Sequence, residues 1–283
     1  MIAKNADHSG GEVTLDGGSG GSAINEGTID ASAKEVGKPG GTVEVLGDTI
    51  TIGNGSVIDV SGSNGGLVAI GISALKAAQA TNSGGIATLA QGSEARAAQQ
   101  VTIHSGSSIL ANSTDVGNGG KIAVWSEEHS IVGGIIEARG GAIGGNGGLI
   151  ETSGKLGLNI SLGTRVNASA PEGNVGTWLL DPPGISIEIL GSLASPFTQT
   201  AITNTVDPND ILNTLALGTN VTLTTLTSVP AFPDPIAIPA LNRDIEVNAA
   251  LSMSTLSHTL PATLTLQSAG GIIVNQQIGG LGV

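Results

Sequence analysis

The run WSEEHS places Trp125, Glu127, Glu128 and His129 within five residues, and side chains of these types could hold a metal ion or grip a sugar ring. Carboxylates hydrolyse glycosidic bonds only when two of them flank the same bond. Here the second carboxylate would have to come from another part of the chain, as Glu137 and Glu151 would if they faced each other, and their spacing does not establish that. With no second ligating cluster nearby, the simpler reading of residues 125–129 is a solvated corner after the strand KIAVW. His8, His104, His129 and His258 are too scattered for a local metal motif, and a chain without cysteine has no disulfide, thiolate chemistry or zinc-thiolate site.

Other motifs fail on spacing. A phosphate-cradling loop ending at Gly154-Lys155 needs glycine at position 149 and Ser or Thr at 156, and both positions are leucine. GGSGG at 17–21 frames Ser19 as a nucleophile elbow would, but no apolar strand enters it and no helix leaves it. Calcium-binding turns of the GGxGxD kind would need aspartate where Ser22 and Leu149 stand. Trp125 and Trp178 sit at strand ends among aliphatic residues, which favours packing at a coil edge or cap over ligand stacking. Five N-x-S/T sequons, at Asn54, Asn112, Asn159, Asn167 and Asn220, arise readily in a chain of this composition. The Thr-x-Thr pairs Thr49/Thr51, Thr222/Thr224 and Thr263/Thr265 are not repeated on successive units as a flat binding face would require. No residue is therefore assigned as catalytic, cofactor-binding or metal-ligating, and no cofactor is expected.

Composition narrows the class. The formal charge of −13 argues against nucleic acid, whose phosphates are neutralised by Lys and Arg. No apolar run is long enough to cross a membrane, so no membrane insertion is expected. Met1-Ile2-Ala3 runs straight into a Gly-rich pattern, as a piece of a longer chain would. Only four aromatics occur among 283 residues, so the interior must be filled by Val, Ile, Leu and Ala. Such residues suit a narrow, uniform core.

A repeat supplies one. Gly-Gly followed by a short alternating run recurs as SGGEVTL (9–15), PGGTVEV (39–45), NGGLVAI (64–70), SGGIATL (83–89), NGGKIAV (118–124) and NGGLIET (146–152). Within one unit, TVEV (42–45), TITI (49–52) and VIDV (57–60) are β-branched runs separated by residues that favour turns. Three short strands and three corners per unit predict a three-sided parallel β-helix, with each face a parallel sheet. The Ala-rich stretches 73–82 and 94–100 break the rhythm and read as excursions, the first a short helix, carrying Lys76 and Arg96 outward.

Composition changes near residue 170, where glycine thins and proline appears. The expected division is a Gly-rich β-helix over 1–183 and a Pro/Thr-rich β region over 184–283, either a continuation of the solenoid or a separate small domain. In the second part NVTLTTL, DIEVNAAL, ATLTLQS and GIIVNQQI read as strands, DPNDILNTLAL (207–217) as a helix capped by Asp207 with Pro208 at its first position, and VPAFPDPIAIP (229–239) as a surface excursion.

Over most of residues 10–190 the chain resembles the filamentous haemagglutinin family of large bacterial exoproteins. The resemblance is carried by GNGGKIAVW (117–125), GIIEARGG (134–141), GNGGLIETSGK (145–155) and GTWLLDP (176–182), in that order and spacing, and more weakly by the stretch after 190. It implies a right-handed parallel β-helix and secretion by a two-partner system, with an outer-membrane transporter barrel as partner during export. It also implies a place at the bacterial cell surface and a role in adhesion to a protein or glycan of a host or neighbouring cell. The family's N-terminal secretion motifs are not present, so the export route follows from the resemblance alone. The expected function is a rigid, non-enzymatic stalk and interaction surface, with the excursions at 73–100 and 229–239 as contact regions and open coil ends as a route to self-association. The alternative is a carbohydrate-active β-helix enzyme, a polysaccharide hydrolase or lyase.

Overall fold

In the computed structural model, which describes residues 1–81, 97–190, 204–226, 243–252 and 261–279, each Gly-Gly feeds a strand and each unit turns three corners. The first coil comprises β1 (Glu12–Asp16), β2 (Ser22–Asn25) and β3 (Thr28–Asp30), and the second β4 (Thr42–Leu46), β5 (Thr49–Ile52) and β6 (Val57–Asp59). The third runs through β7 (Leu67–Ile70), leaves the stack at α1 (Ala74–Gln79), and returns as β8 (Gln100–Ile103) and β9 (Ser108–Leu110). The fourth holds β10 (Lys121–Val124), β11 (His129–Val132) and β12 (Ile135–Glu137), and the fifth β13 (Leu149–Ser153), β14 (Gly157–Ile160) and β15 (Arg165–Asn167). Beyond them come β16 (Thr177–Asp181), β17 (Ile185–Ile187), β18 (Thr205–Val206), α2 (Pro208–Ala216) and β19 (Asn220–Thr224). The described chain closes with β20 (Ile245–Val247), β21 (Leu251–Ser252), β22 (Leu264–Gln267), β23 (Ile272–Val274) and β24 (Ile278–Gly279).

All the strand pairs are parallel, and every third strand shares a sheet. The first sheet has eight strands in the order β1-β4-β7-β10-β13-β16-β19-β22, and the third has five, β3-β6-β9-β12-β15. The second has nine strands and one departure from sequence order, because β18 inserts between β14 and β17. The predicted three-sided parallel β-helix with helical excursions is therefore the observed architecture. After residue 184, β19 and β22 extend the first sheet and β17, β18, β20 and β23 the second, β21 and β24 pair in a separate two-stranded sheet, and the third sheet ends at β15, where α2 packs. This is the irregularity expected of the C-terminal part.

Alternation decides what fills the interior. Inward positions of one coil, Val43, Ile50 and Ile58, are fully buried, as are Ile122, Val132 and Ile136 two coils later. They belong to one cluster running from Val13 to Leu251. Burying each such side chain contributes about 1.5–3 kcal/mol, so a column without cysteine holds by repetition.

The Gly-Gly pairs are required by contact between coils. The N–H of Gly120 donates to the carbonyl of Ala111 at 2.8 Å, and a Cβ on Gly120 would lie 2.1 Å from the carbonyl oxygen of Gly66 on the coil below. The same clash would arise at Gly41 over Gly11, Gly66 over Gly41, Gly148 over Gly120 and Gly176 over Gly148. Stacked second glycines thus form a backbone-only seam along one corner.

Asparagines run beside the seam. The N–H of Asn118 donates to Asn64 Oδ1 at 3.0 Å, that of Asn146 to Asn118 Oδ1 at 2.8 Å, and that of Asn174 to Asn146 Oδ1 at 2.9 Å. Asn146→Ala removes one acceptor from this solvent-facing ladder and is expected to cost about 1 kcal/mol. A lowered urea midpoint at unchanged slope is the readout, and an unchanged midpoint would mean that water replaces the bond at no cost.

The excursions differ in how far they are placed. Ser73 caps α1, its Oγ accepting from the N–H of Lys76, and the N–H of Ala74 donates to Glu44 Oε1 at 2.7 Å. The helix covers the outer face of the first sheet, and Lys76 is half-buried on it where the sequence suggested an outward charge. SGGIATL, residues 94–96 of the second Ala-rich stretch with Arg96, and VPAFPDPIAIP lie outside the described residues. Because β7 pairs directly with β10, Leu67 opposite Lys121, no strand separates these coils in the first sheet. Thr222 lies opposite Thr265 but Thr224 lies opposite Gln267, so the two Thr-x-Thr pairs are offset along β19 and β22 and do not stack as a repeated pair.

Candidate functional site

The corner between β10 and β11 separates the residues that the sequence groups together. Trp125 leaves the solenoid interior and packs under α1 with Ala69, Ile72, Ala77 and Ala123, because the small outer residues of β7 and β10 leave room for an indole. It is a buried packing residue and offers no face to a sugar. Glu127 points elsewhere and accepts from Lys155 Nζ at 2.5 Å, while Glu128 accepts from Gln100 Nε2 at 3.3 Å. His129 is half-buried on β11, and among the described residues its Nδ1 has no hydrogen-bond partner, nor has Trp125 Nε1. Among the described residues, no three His, Asp or Glu side chains come close enough to hold a metal ion.

The carboxylate pair considered for acid–base chemistry is also split. Glu137 lies on β12 in the third sheet, where it accepts from Asn112 Nδ2 at 2.9 Å and pairs with Arg139 Nε at 3.1 Å. Glu151 lies on β13 in the first sheet, fully buried on its outer face, with Ser153 Oγ donating to Oε1 at 2.9 Å. Asp181, which follows the Leu179-Leu180 pair of β16, is fully buried on the same outer face, opposite Ser153. In the sequence Asp181 stands only as part of the motif GTWLLDP. Its position two residues beyond Leu179, which faces Glu151, is the signal that would have grouped the two acids.

The remaining motifs fall into turns and ladders. Ser19 is exposed on a tight turn between β1 and β2, His8 pairs with Glu35 at 2.5 Å, His104 is exposed at a corner, and His258 lies outside the described residues. Trp178 is wholly enclosed in the central column and not at an edge, and its Nε1 donates to Thr152 Oγ1 at 3.0 Å. Of the five sequon asparagines only Asn54 is exposed. Asn112, Asn167 and Asn220 accept from the backbone N–H of Arg139, Ser169 and Thr263, and Asn159 is buried beside Thr205.

A cleft of about 530 Å³ lies between α2 and residues 163–166, lined by Thr164, Arg165, Asp210, Asn213 and Leu217. Asp207 caps α2 as its sequence promised, Oδ1 accepting from the N–H of Asn209 at 2.9 Å and Oδ2 from that of Leu190 at 2.9 Å. Asp210, one helical turn on, accepts from the N–H of Gly163 at 3.2 Å. Burial, and then the charge of Asp207, push its carboxyl up to about 7. No local pattern marks Asp210, because the group it meets lies 47 residues earlier.

No protein-family model matches the chain, and no curated protein does. The class is set by the architecture, a β-solenoid of all-parallel sheets.

Proposed function

We propose that the chain is a segment of a secreted bacterial surface exoprotein of the filamentous haemagglutinin kind. It serves as a rigid β-helical stalk whose outer faces engage a protein or glycan on a host or neighbouring cell. The observation that carries this reading is the dispersal of the carboxylates over a continuous in-register stack. Glu127 and Glu128 stand at one corner, Glu137 on the third sheet, and Glu151 buried on the first. A stack of coils bonded rung to rung resists bending and holds its outer residues at a fixed spacing, which suits display. Export through an outer-membrane barrel and a place at the cell surface follow from the sequence resemblance. Among the described residues no helix is long and apolar enough to cross a membrane.

A polysaccharide hydrolase or lyase is the second reading, and Glu151 with Asp181 on the adjacent strand is the observation that favours it. Both are fully buried, which withholds them from a polymer. The purified chain should be retained on whole cells or on arrayed glycans while polysaccharides incubated with it gain no new reducing or unsaturated ends. New ends, lost when Glu151→Gln is introduced, would replace the stalk with the enzyme, and absence of retention on every surface tried would remove the adhesive role.

A further inference from the structure

Asp210 is a carboxyl that a stalk does not need. It is only 2% exposed, its Oδ1 accepts the N–H of Gly163, and its Oδ2 is buried with no hydrogen-bond partner among the described residues. It stands where α2 meets the solenoid at the corner leading into β15 and forms part of the wall of the cleft there. Two charged groups face it. Asp207 shares its helical turn and is already engaged with the N–H groups of Asn209 and Leu190, and Arg165 lines the same cleft from β15. β19 and β21, the other strands against α2, carry no titratable side chain.

We infer that Asp210 makes the docking of α2 on this corner pH-sensitive, closed when its carboxyl is neutral and loosened when it is ionised. An ionised carboxylate with a buried, unpaired oxygen is costly, and the negative Asp207 beside it adds repulsion. A neutral carboxyl removes the charge and keeps the bond from Gly163. The direction follows from linkage. Because the docked carboxyl titrates above the ordinary carboxylate range, the docked state binds more protons between about pH 4 and pH 7. Docking is therefore firmest at the acid end of that window, weakens as pH rises through it, and levels off above about 7. Loosening α2 would open the cleft to solvent.

Hydrogen exchange of the backbone amides of residues 211–217, corrected for intrinsic rate, tests this on the whole chain. In the wild type, opening should rise by up to about tenfold per pH unit, about fiftyfold between pH 5 and pH 7, where half of the docked carboxyls are already ionised. Asp210→Asn should abolish that slope. A flat wild-type profile, or a slope that survives in Asp210→Asn, would overturn the inference. If the variant does not fold, the carboxyl ¹³C titration of the wild type decides: a midpoint near 7 for Asp210 supports the latch, and one near 4 rejects it.

Discussion

Gly120→Ala is expected to destabilise the protein by about 3 kcal/mol, the upper part of the range for overpacking, since the atom struck is backbone and cannot rotate away. The new Cβ would sit 2.1 Å from the carbonyl oxygen of Gly66 and 2.7 Å from the carbonyl carbon of Gly65. That Gly66 oxygen also accepts the N–H of Lys121 at 3.0 Å, so the coils cannot part without losing the first bond of the β7–β10 ladder. Gly27→Ala is the control. A Cβ there meets nothing within 4 Å and its φ lies outside the left-handed region, so it should be neutral or stabilising by about 0.4–1 kcal/mol. Urea unfolding of the two variants checks the seam, and equal stability would show that these coils are not in close contact.

The second large effect is expected at Trp178. It is the largest of the fully buried side chains and fills the column where β16 lies between β13 and β19. Trp178→Ala should cost about 3–5 kcal/mol through lost burial and the cavity left behind. Thr152 Oγ1, itself buried, also loses its donor. Trp178→Phe restores most of the volume but not that bond, and its loss should be clearly smaller. Thermal unfolding of the pair separates packing from the hydrogen bond, and near-equal losses would place the effect in the bond.

Much of this architecture can be read from the sequence because it is local and repeated. Gly41, Gly66, Gly120 and Gly148 each precede a β-branched run, and a seam that excludes every Cβ leaves a gap in sequence choice that is visible by eye. Asp207 and Pro208 announce α2 by the same kind of local chemistry. What could not be read depends on distant partners. Trp125 goes under α1 and Trp178 into the column, although both stand near a strand end among aliphatic neighbours, because only the packing of α1 distinguishes the two faces. Glu137 and Glu151 fall on different sheets because the fifth coil begins between them, and Asp210 owes its setting to Gly163 on another element. Four of the five sequons are spent on ladders and burial, which a tripeptide pattern cannot reveal.

The rigid stack on which the proposed role depends requires that the coils stay in register across the excursion that begins at α1. Thr49 and Gln100 are exposed register partners on β5 and β8, on either side of that excursion. Adjacent strands lie about 4.8 Å apart, within the Cα separation a disulfide bridges, and the chain has no cysteine to interfere. Thr49→Cys with Gln100→Cys should therefore cross-link readily on oxidation of the folded protein. Thr49→Cys with Thr102→Cys, displaced by two residues to about 7–8 Å, should not. Preferential cross-linking of the displaced pair, or of neither, would contradict a continuous in-register stack.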